Sequence, residues 1–150
     1  MIETSDSVVI VRPLGQVYEF VADVRNDPSW NPDMIEAELA PGSGPEIGPG
    51  TEFNVRFKPF MGASTCTMRV TDAAKDAKLV LEGAPGRLKA RAEFRFEPMA
   101  DGTKVTRIVQ VVMPGPMRLL EPVGRRRLQQ QSHAMLQALK ATIESAPTTG

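Results

Sequence analysis

The longest amphipathic segment of the chain lies near its end, in residues 117–145, where apolar positions recur every three or four residues as on one side of an α-helix. That side carries Leu128, Ser132, Met135, Leu136, Leu139 and Ile143. Pro122 suits the first turn of such a helix, and Pro147 would end it. At roughly 1.5 Å per residue, a helix over 122–145 would be about 35 Å long. Its apolar side must be covered, and we expect the strands predicted before it to cover it.

The middle of the chain has a period of two, most clearly in residues 88–97, where apolar and charged residues alternate. This pattern predicts strands with one buried and one wet face, which is typical of an antiparallel sheet. The predicted strands cover residues 2–12, 34–39, 52–58, 65–70, 79–81, 88–97 and 104–113. The chain is thus expected to form a seven-stranded sheet.

Two short helices are predicted between the first and second strands. Pro13 would open the first, whose apolar side carries Val17 and Phe20, and prolines bound the second in residues 26–32. With the long C-terminal helix, this makes an α+β fold. The sequence predicts one domain over residues 1–146, followed by a short flexible tail, residues 147–150.

Composition narrows the classes of protein that fit. The 18 basic residues equal the 18 acidic ones, so no net field draws the chain to nucleic acid or to an anionic membrane. No apolar run is long enough for stable membrane insertion, and the acidic N-terminus is not that of a signal peptide. Cys66 is the single cysteine, which excludes an internal disulfide. We expect a cytoplasmic protein.

Three stretches resemble a known family: residues 9–13 (VIVRP) followed by 17–23 (VYEFVAD), residues 27–32 (DPSWNP), and residues 102–106 (GTKVT). They are similar to the opening strand and helix, the second helix and the last strand of the START-like, or SRPBCC, superfamily. The nearest resemblance is to its polyketide cyclase/dehydrase and lipid-transport family. The resemblance implies a helix-grip fold, in which a curved sheet wraps round the terminal helix. It also implies an internal cavity for a small hydrophobic ligand, lipid-like or polyketide-like.

Residues on the predicted inner faces, together with the helical insert and one loop, are the candidate ligand-binding set. They are Tyr18, Trp30, Phe53, Val55, Phe57, Phe60, Met68, Leu81, Ala92, Phe94, Arg107, Val109, Leu128, Ser132 and Met135. Small residues such as Ala92 among large aromatic ones leave room for a ligand, although a fully packed core uses the same residue types.

Arg107 is the most unusual residue of this set. A period of two places it on the same face as Val105, Val109 and Val111. A buried guanidinium needs a carboxylate, a backbone carbonyl or an anionic ligand as its partner. The alternatives are a bulge in the strand, or burial of its opposite face. Tyr18 and Trp30 could line a pocket with their rings or simply pack in the core.

Three apolar loops are expected to meet at one end of the molecule, where the resemblance places the mouth of the cavity. They contribute Phe60, Met61, Pro85, Pro114 and Met117. The alternative is that these side chains contact a second subunit, so we expect a monomer or a weak homodimer.

Catalytic chemistry has little support in the sequence. His133, the single histidine, lies on the wet side of the long helix, and Cys66 alternates with apolar residues. No cofactor and no metal site are expected, and arginines 125–127 are expected to be solvated. The leading hypothesis is a protein that binds a small hydrophobic molecule. A polyketide cyclase or dehydratase, and a protein-interaction module that uses the apolar loops, are the alternatives.

Overall fold

The computed structural model describes residues 1–44, 46–60 and 62–148, and for Phe60 the backbone only. Within these residues the strands are β1 (Ile2–Ile10), β2 (Met34–Leu39), β3 (Glu52–Phe60), β4 (Ala63–Ala74), β5 (Lys78–Gly83), β6 (Lys89–Met99) and β7 (Gly102–Val112). The helices are α1 (Leu14–Ala22) and α2 (Glu121–Glu144), with two 3-10 helices, η1 (Val24–Ser29) and η2 (Gly115–Leu120). The predicted seven-stranded α+β fold is confirmed.

All seven strands form one antiparallel sheet in the order β1-β7-β6-β5-β4-β3-β2. From β2 to β7 each strand pairs with the next one in the chain, which is the simplest way to build an antiparallel sheet. β1 and β2 lie at opposite edges, so α1 and η1 carry the chain from one edge to the other. These two helices therefore lie across one side of the sheet.

Irregularities in the pairing bend the strands. The register shifts between Met34 and Glu36, between Arg56 and Phe60, and between Val70 and Asp72. A bulge inserts an extra residue on one strand, which bends that strand and increases its twist. Three such shifts on β2, β3 and β4 fit the curved sheet that the helix-grip expectation requires.

Helix α2 packs against the sheet along the predicted side. The fully buried residues of α2 are Ser132, Met135, Leu136, Leu139 and Ile143. Leu128 was expected to be buried against the sheet but is only half-buried. It lies in the first half of α2, where it packs on a smaller cluster formed by Ile2, Leu88 and Met113. The predicted architecture therefore holds, with a correction at this one position.

The segment before α2 differs from the expectation. Residues 115–120 form η2, which the apolar spacing did not predict, whereas α2 begins at Glu121, one residue before its predicted start. Pro116 and Pro122 stand near the starts of η2 and α2. Because a proline has no amide hydrogen, it favours the first turn of a helix. Each of these two prolines therefore favours the start of a separate helix.

The C-terminal end of α2 is bonded to the region that follows β1. The Arg12 side chain donates to the carbonyl oxygens of Glu144 and Ala146, and the Val11 amide donates to the Glu144 carboxylate at 2.8 Å. Gln16 donates to the carbonyl of Pro147 at 3.0 Å, so the first residue of the predicted tail is held in place. Residues 149 and 150 of that tail lie outside the described residues.

Candidate functional site

Arg107 points into the protein. Val105 and Val109, on the same face of β7, are buried, and the Arg107 guanidinium carbon lies 5.9 Å from the ring centre of Phe94 on β6. Phe94 and Arg107 are register partners in a regular stretch of the sheet. The period of two therefore placed Arg107 on the correct face, and neither a bulge nor burial of the opposite face applies.

Among the described residues, one side chain accepts a hydrogen bond from this guanidinium. Nη1 of Arg107 donates to Oγ of Ser132 at 2.7 Å, and Ser132 is fully buried on α2. Nε of Arg107 is shielded from solvent and has no partner among the described residues. Because an arginine offers five N–H donors in a fixed fork, one serine leaves much of this capacity unused.

Asp27 is the functional candidate that the sequence analysis missed. It lies in η1 and is only 7% exposed, and its backbone carbonyl accepts from the amides of Trp30 and Asn31. Its carboxyl atom Oδ1 is buried without a hydrogen-bond partner among the described residues. The available signal was the spacing Asp27 to Trp30, since side chains three apart in a 3-10 helix lie on the same side.

Trp30 completes the arrangement. It is 4% exposed, and its indole Nε1 is buried with no acceptor in hydrogen-bonding geometry among the described residues. The indole N–H is close enough to Asp27 to favour the ionised carboxylate, yet Nε1 and Oδ1 do not complete a hydrogen bond with each other. We call Asp27, Trp30, Arg107 and Ser132 the polar cluster.

Burial dominates the electrostatics of the polar cluster. It raises the pKa of Asp27 well above its ordinary value of 3.8, with a further increase from Asp23, although the Arg107 charge and Trp30 favour ionisation. Burial lowers the pKa of Arg107 to about 10, against the opposing effect of Asp27, so Arg107 remains charged at neutral pH. The cluster thus combines a persistent cation with a carboxyl that resists ionisation, which favours an anionic or hydrogen-bond-accepting ligand group.

Unpartnered polar atoms are rare in protein interiors, and each needs an explanation. The polar cluster contains two donor atoms of this kind, Arg107 Nε and Trp30 Nε1, together with Oδ1 of Asp27. Thr4, on β1, has a buried Oγ1 that also lacks a partner among the described residues. The described residues therefore leave polar atoms of this cluster without hydrogen-bond partners.

The other predicted ligand-binding residues lie in or against the core. The fully buried ones are Phe53, Val55, Leu81, Phe94, Val109 and Met135, and the partly buried ones are Phe57, Met68, Ala92 and Leu128. The side chain of Phe60 lies outside the described residues. Their role in ligand binding remains a prediction.

Tyr18 is partly buried and packs against the core cluster that includes Trp30. Its ring packs edge-to-face on Phe96, with 5.1 Å between the ring centres. The pKa of its hydroxyl is raised by burial and by the charge of Asp76. Asp76 lies in the turn between β4 and β5, so the Tyr18 hydroxyl lies on the side of the core near that turn.

The three apolar loops come to the same end of the sheet. Phe60 pairs with Ala63 at the start of β4, Gly83 at the end of β5 pairs with Met68 midway along β4, and Lys89 pairs with Val112 at the end of β7. These registers place the β3–β4 turn, the β5–β6 loop and the segment after β7 together. Met61 lies outside the described residues, and a role of these loops as a gate remains a prediction.

Two surface depressions lie away from the polar cluster. One, of about 400 Å³, is lined by residues of β2, β3 and β4, including Glu36 and Arg56, which form a salt bridge. The other, of about 470 Å³, lies beside Arg12 and Thr148. Both depressions are open to solvent and lie on the surface, so they are weaker candidates than the polar cluster.

Other reactive side chains give little support to a second site. Burial raises the pKa of the Cys66 thiol, which disfavours a reactive thiolate. His133 is mostly exposed, and its Nδ1 lies 3.0 Å from the Asp6 carboxylate. Among the described residues, no three His, Cys, Asp or Glu side chains are grouped so that they could hold a metal ion.

No helix in the described part of the chain is long and apolar enough to cross a bilayer.

Comparison with known structures agrees with this architecture. The aromatase/cyclase Zhui from Streptomyces sp. R1128 superposes with a TM-score of 0.73 at 17% identity, covering 95% of this chain and 93% of that one. A START superfamily protein from Mycobacterium smegmatis gives 0.72 at 17% identity, covering 95% and 97%. The di-domain aromatase/cyclase BexL from the BE-7585A biosynthetic pathway gives 0.78 at 18% identity, covering 98% of this chain and 48% of BexL. At these identities the likeness shows the fold.

The sequence itself carries the family relationship. No curated protein sequence matches significantly. The family model described as "Polyketide cyclase / dehydrase and lipid transport" matches residues 1–144, which is nearly the whole chain. The chain therefore belongs to the polyketide cyclase/dehydrase and lipid transport family and has its START-like, helix-grip fold.

Proposed function

We propose that this protein binds a small hydrophobic or amphipathic molecule, lipid-like or polyketide-like, between the sheet and α2. The polar end of the ligand contacts the polar cluster, and its apolar part lies against the aromatic and aliphatic residues of the inner face. Family membership supports a small-ligand role in general, and the polar cluster supports this location.

The observation that carries the proposal is the incomplete hydrogen bonding of Arg107. The Arg107 side chain is only partly exposed, Ser132 accepts one of its hydrogen bonds, and its shielded Nε has no acceptor among the described residues, which is costly. Trp30 Nε1 is a second buried donor without a partner among the described residues. A ligand carboxylate would be a suitable acceptor for Arg107, because its paired oxygens match the planar guanidinium fork in geometry.

The raised pKa of Asp27 agrees with an anionic ligand group. An ionised Asp27 would neutralise Arg107 and repel a second anion, whereas a protonated carboxyl does neither. In its protonated form Asp27 can also donate a hydrogen bond to a ligand oxygen. The interior would then hold one net positive charge, which a ligand carboxylate or enolate compensates.

Native mass spectrometry tests the proposal with two probes of equal chain length, decanoate and 1-decanol. We expect one-to-one complexes, with decanoate retained at higher collision energy than decanol because only decanoate can neutralise Arg107. A Phe53→Ala variant, altered in the buried inner wall, serves as a comparison for the apolar part of the ligand. Absence of any one-to-one complex with either probe would contradict the proposal.

A catalytic role is the second candidate, and Asp27 is the observation that favours it. A buried carboxyl with a raised pKa suits general acid–base chemistry, as in the loss of water from a β-hydroxycarbonyl compound. In that case Asp27→Asn would still bind the substrate but would not convert it. Conversion that is unchanged in Asp27→Asn would rule out Asp27 as the acid or base.

A further inference from the structure

A group of apolar side chains is exposed at the start of the C-terminal helical region. Leu119 is 87% exposed, Leu120 is 56% exposed and Val123 is 68% exposed. Met117, in the same segment, packs instead against the cluster of Ile2, Leu88 and Met113. Met117 thus anchors η2 to the protein, and the next apolar residues project outward.

Arginines adjoin these apolar residues. In an α-helix residues three and four apart are neighbours, so Arg126 and Arg127 flank Val123 on the outer side of α2. Arg118 and Arg125 are also exposed at this end of the molecule. We call Leu119, Leu120, Val123, Arg118, Arg126 and Arg127 the apical patch.

The charges of the apical patch are not balanced locally, although the net charge of the whole chain is zero. Glu121, the acidic residue in this segment, pairs with the terminal ammonium of Met1 at 2.8 Å and also interacts with Arg118 and Arg125. Neither Arg126 nor Arg127 forms a salt bridge with any described residue. Balanced composition therefore conceals a local excess of positive charge.

We propose that the apical patch binds the surface of an anionic phospholipid bilayer. The exposed leucines and valine would enter the boundary between head groups and acyl chains, and the arginines would contact the phosphates, their long stems lying along the apolar boundary. This proposal is independent of ligand binding in the interior. It also places the membrane beside the end of the sheet where the three apolar loops meet.

Other partners fit the apical patch less well. A symmetric contact with a second copy would bring the arginines of both copies close together, and like charges repel. Nucleic acid would satisfy the arginines but leave three large aliphatic side chains against a polar backbone. An anionic bilayer satisfies both kinds of residue.

Vesicle co-sedimentation tests the proposal. We expect the protein to sediment with vesicles of phosphatidylcholine and phosphatidylglycerol and to remain in solution with vesicles of phosphatidylcholine alone. The double variant Leu119→Ser/Leu120→Ser should lose sedimentation. Each arginine removed in Arg126→Gln/Arg127→Gln should weaken binding about fivefold, the factor for one cation near an anionic leaflet.

Matched controls separate the apical patch from general effects of charge and hydrophobicity. Arg69→Gln/Lys75→Gln removes two exposed cations from β4 and the following turn, and Met99→Ser removes an exposed apolar residue at the other end of the sheet. Both should sediment as the unchanged protein does. The proposal is overturned if the unchanged protein ignores anionic vesicles, or if the controls lose as much binding as the patch variants. It is also overturned if sedimentation velocity shows a dimer that the Leu119→Ser/Leu120→Ser variant dissolves while vesicle binding is absent.

Discussion

Arg107 of β7 donates a hydrogen bond to Ser132 of α2 over 2.7 Å, linking the sheet to the long helix through the interior. The two residues are 25 positions apart, and the nearest residues on each of their faces are apolar. Such a bond fixes the position of the guanidinium relative to α2. The remaining donors of Arg107 are therefore held in a defined direction, which is what a ligand-binding group requires.

This bond should be measurable as a coupling between the two residues. In a double-mutant cycle with Arg107→Met and Ser132→Ala, we expect a coupling of about 1–3 kcal/mol in the free energy of unfolding, because the bond involves a charged donor. Urea unfolding of the four proteins measures it. Strictly additive losses would mean that the two side chains do not interact in solution.

Packing of α2 on the sheet predicts a large cost for shortening its buried face. Leu139 is fully buried, so Leu139→Ala should lower the free energy of unfolding by about 2–5 kcal/mol. Leu119→Ala provides the matched control, because Leu119 is almost fully exposed and its truncation should cost less than about 0.5 kcal/mol. Chemical denaturation measures both values. Similar losses of unfolding free energy at the two positions would contradict the packing of α2 on the sheet.

Burial of Asp27 predicts a characteristic dependence of stability on pH. Its pKa in the folded protein lies above the ordinary 3.8, so its contribution to stability is complete below that value and is lost as the pH rises through the folded-state pKa. Asp27→Asn lacks this titration. From acidic to neutral pH, the unfolding free energy of the unchanged protein should therefore fall relative to the variant, by at most about 1.4 kcal/mol per pH unit.

The control for this measurement is Asp101→Asn, which removes one carboxylate from an exposed turn. It corrects for the general effect of losing a negative charge. A stability difference between the unchanged protein and Asp27→Asn that stays constant over the whole pH range, after this correction, would show that Asp27 is not buried as described.

Most of the fold could be predicted because local periodicity determines it. The alternation in residues 88–97 and 104–113 gave the correct faces of β6 and β7, including that of Arg107, and β2 was predicted at its observed bounds. The η2 segment was missed because prolines interrupt the apolar spacing that would indicate a helix there. Leu128 was expected to be buried because the spacing of apolar residues identifies one side of a helix but not the point along that helix where the sheet ends.

The candidate site was harder to predict, because it depends on contacts between distant segments. Arg107 stood out as a charge in an apolar run, and Ser132 stood out by its place on the helix stripe. Asp27 lies in a polar, proline-bounded turn, where an acidic residue is normally exposed. Its carboxyl is buried because η1 packs over the sheet, and the local sequence pattern does not indicate this packing.

The central claim is that Arg107 binds the polar end of a ligand, and the most direct test compares decanoate with 1-decanol in the Arg107→Met variant. Trp30 is the single tryptophan and belongs to the polar cluster, so its fluorescence reports binding without a label. Methionine removes the charge and the donors while keeping an unbranched side chain.

We expect Arg107→Met to weaken decanoate binding by about 1.5–3 kcal/mol, the usual contribution of a charged hydrogen bond, and to leave decanol binding nearly unchanged. Arg69→Met, at an exposed position on β4, should change neither titration. If Arg107→Met stays folded and binds decanoate as tightly as the unchanged protein, or loses both probes equally, the claim is wrong.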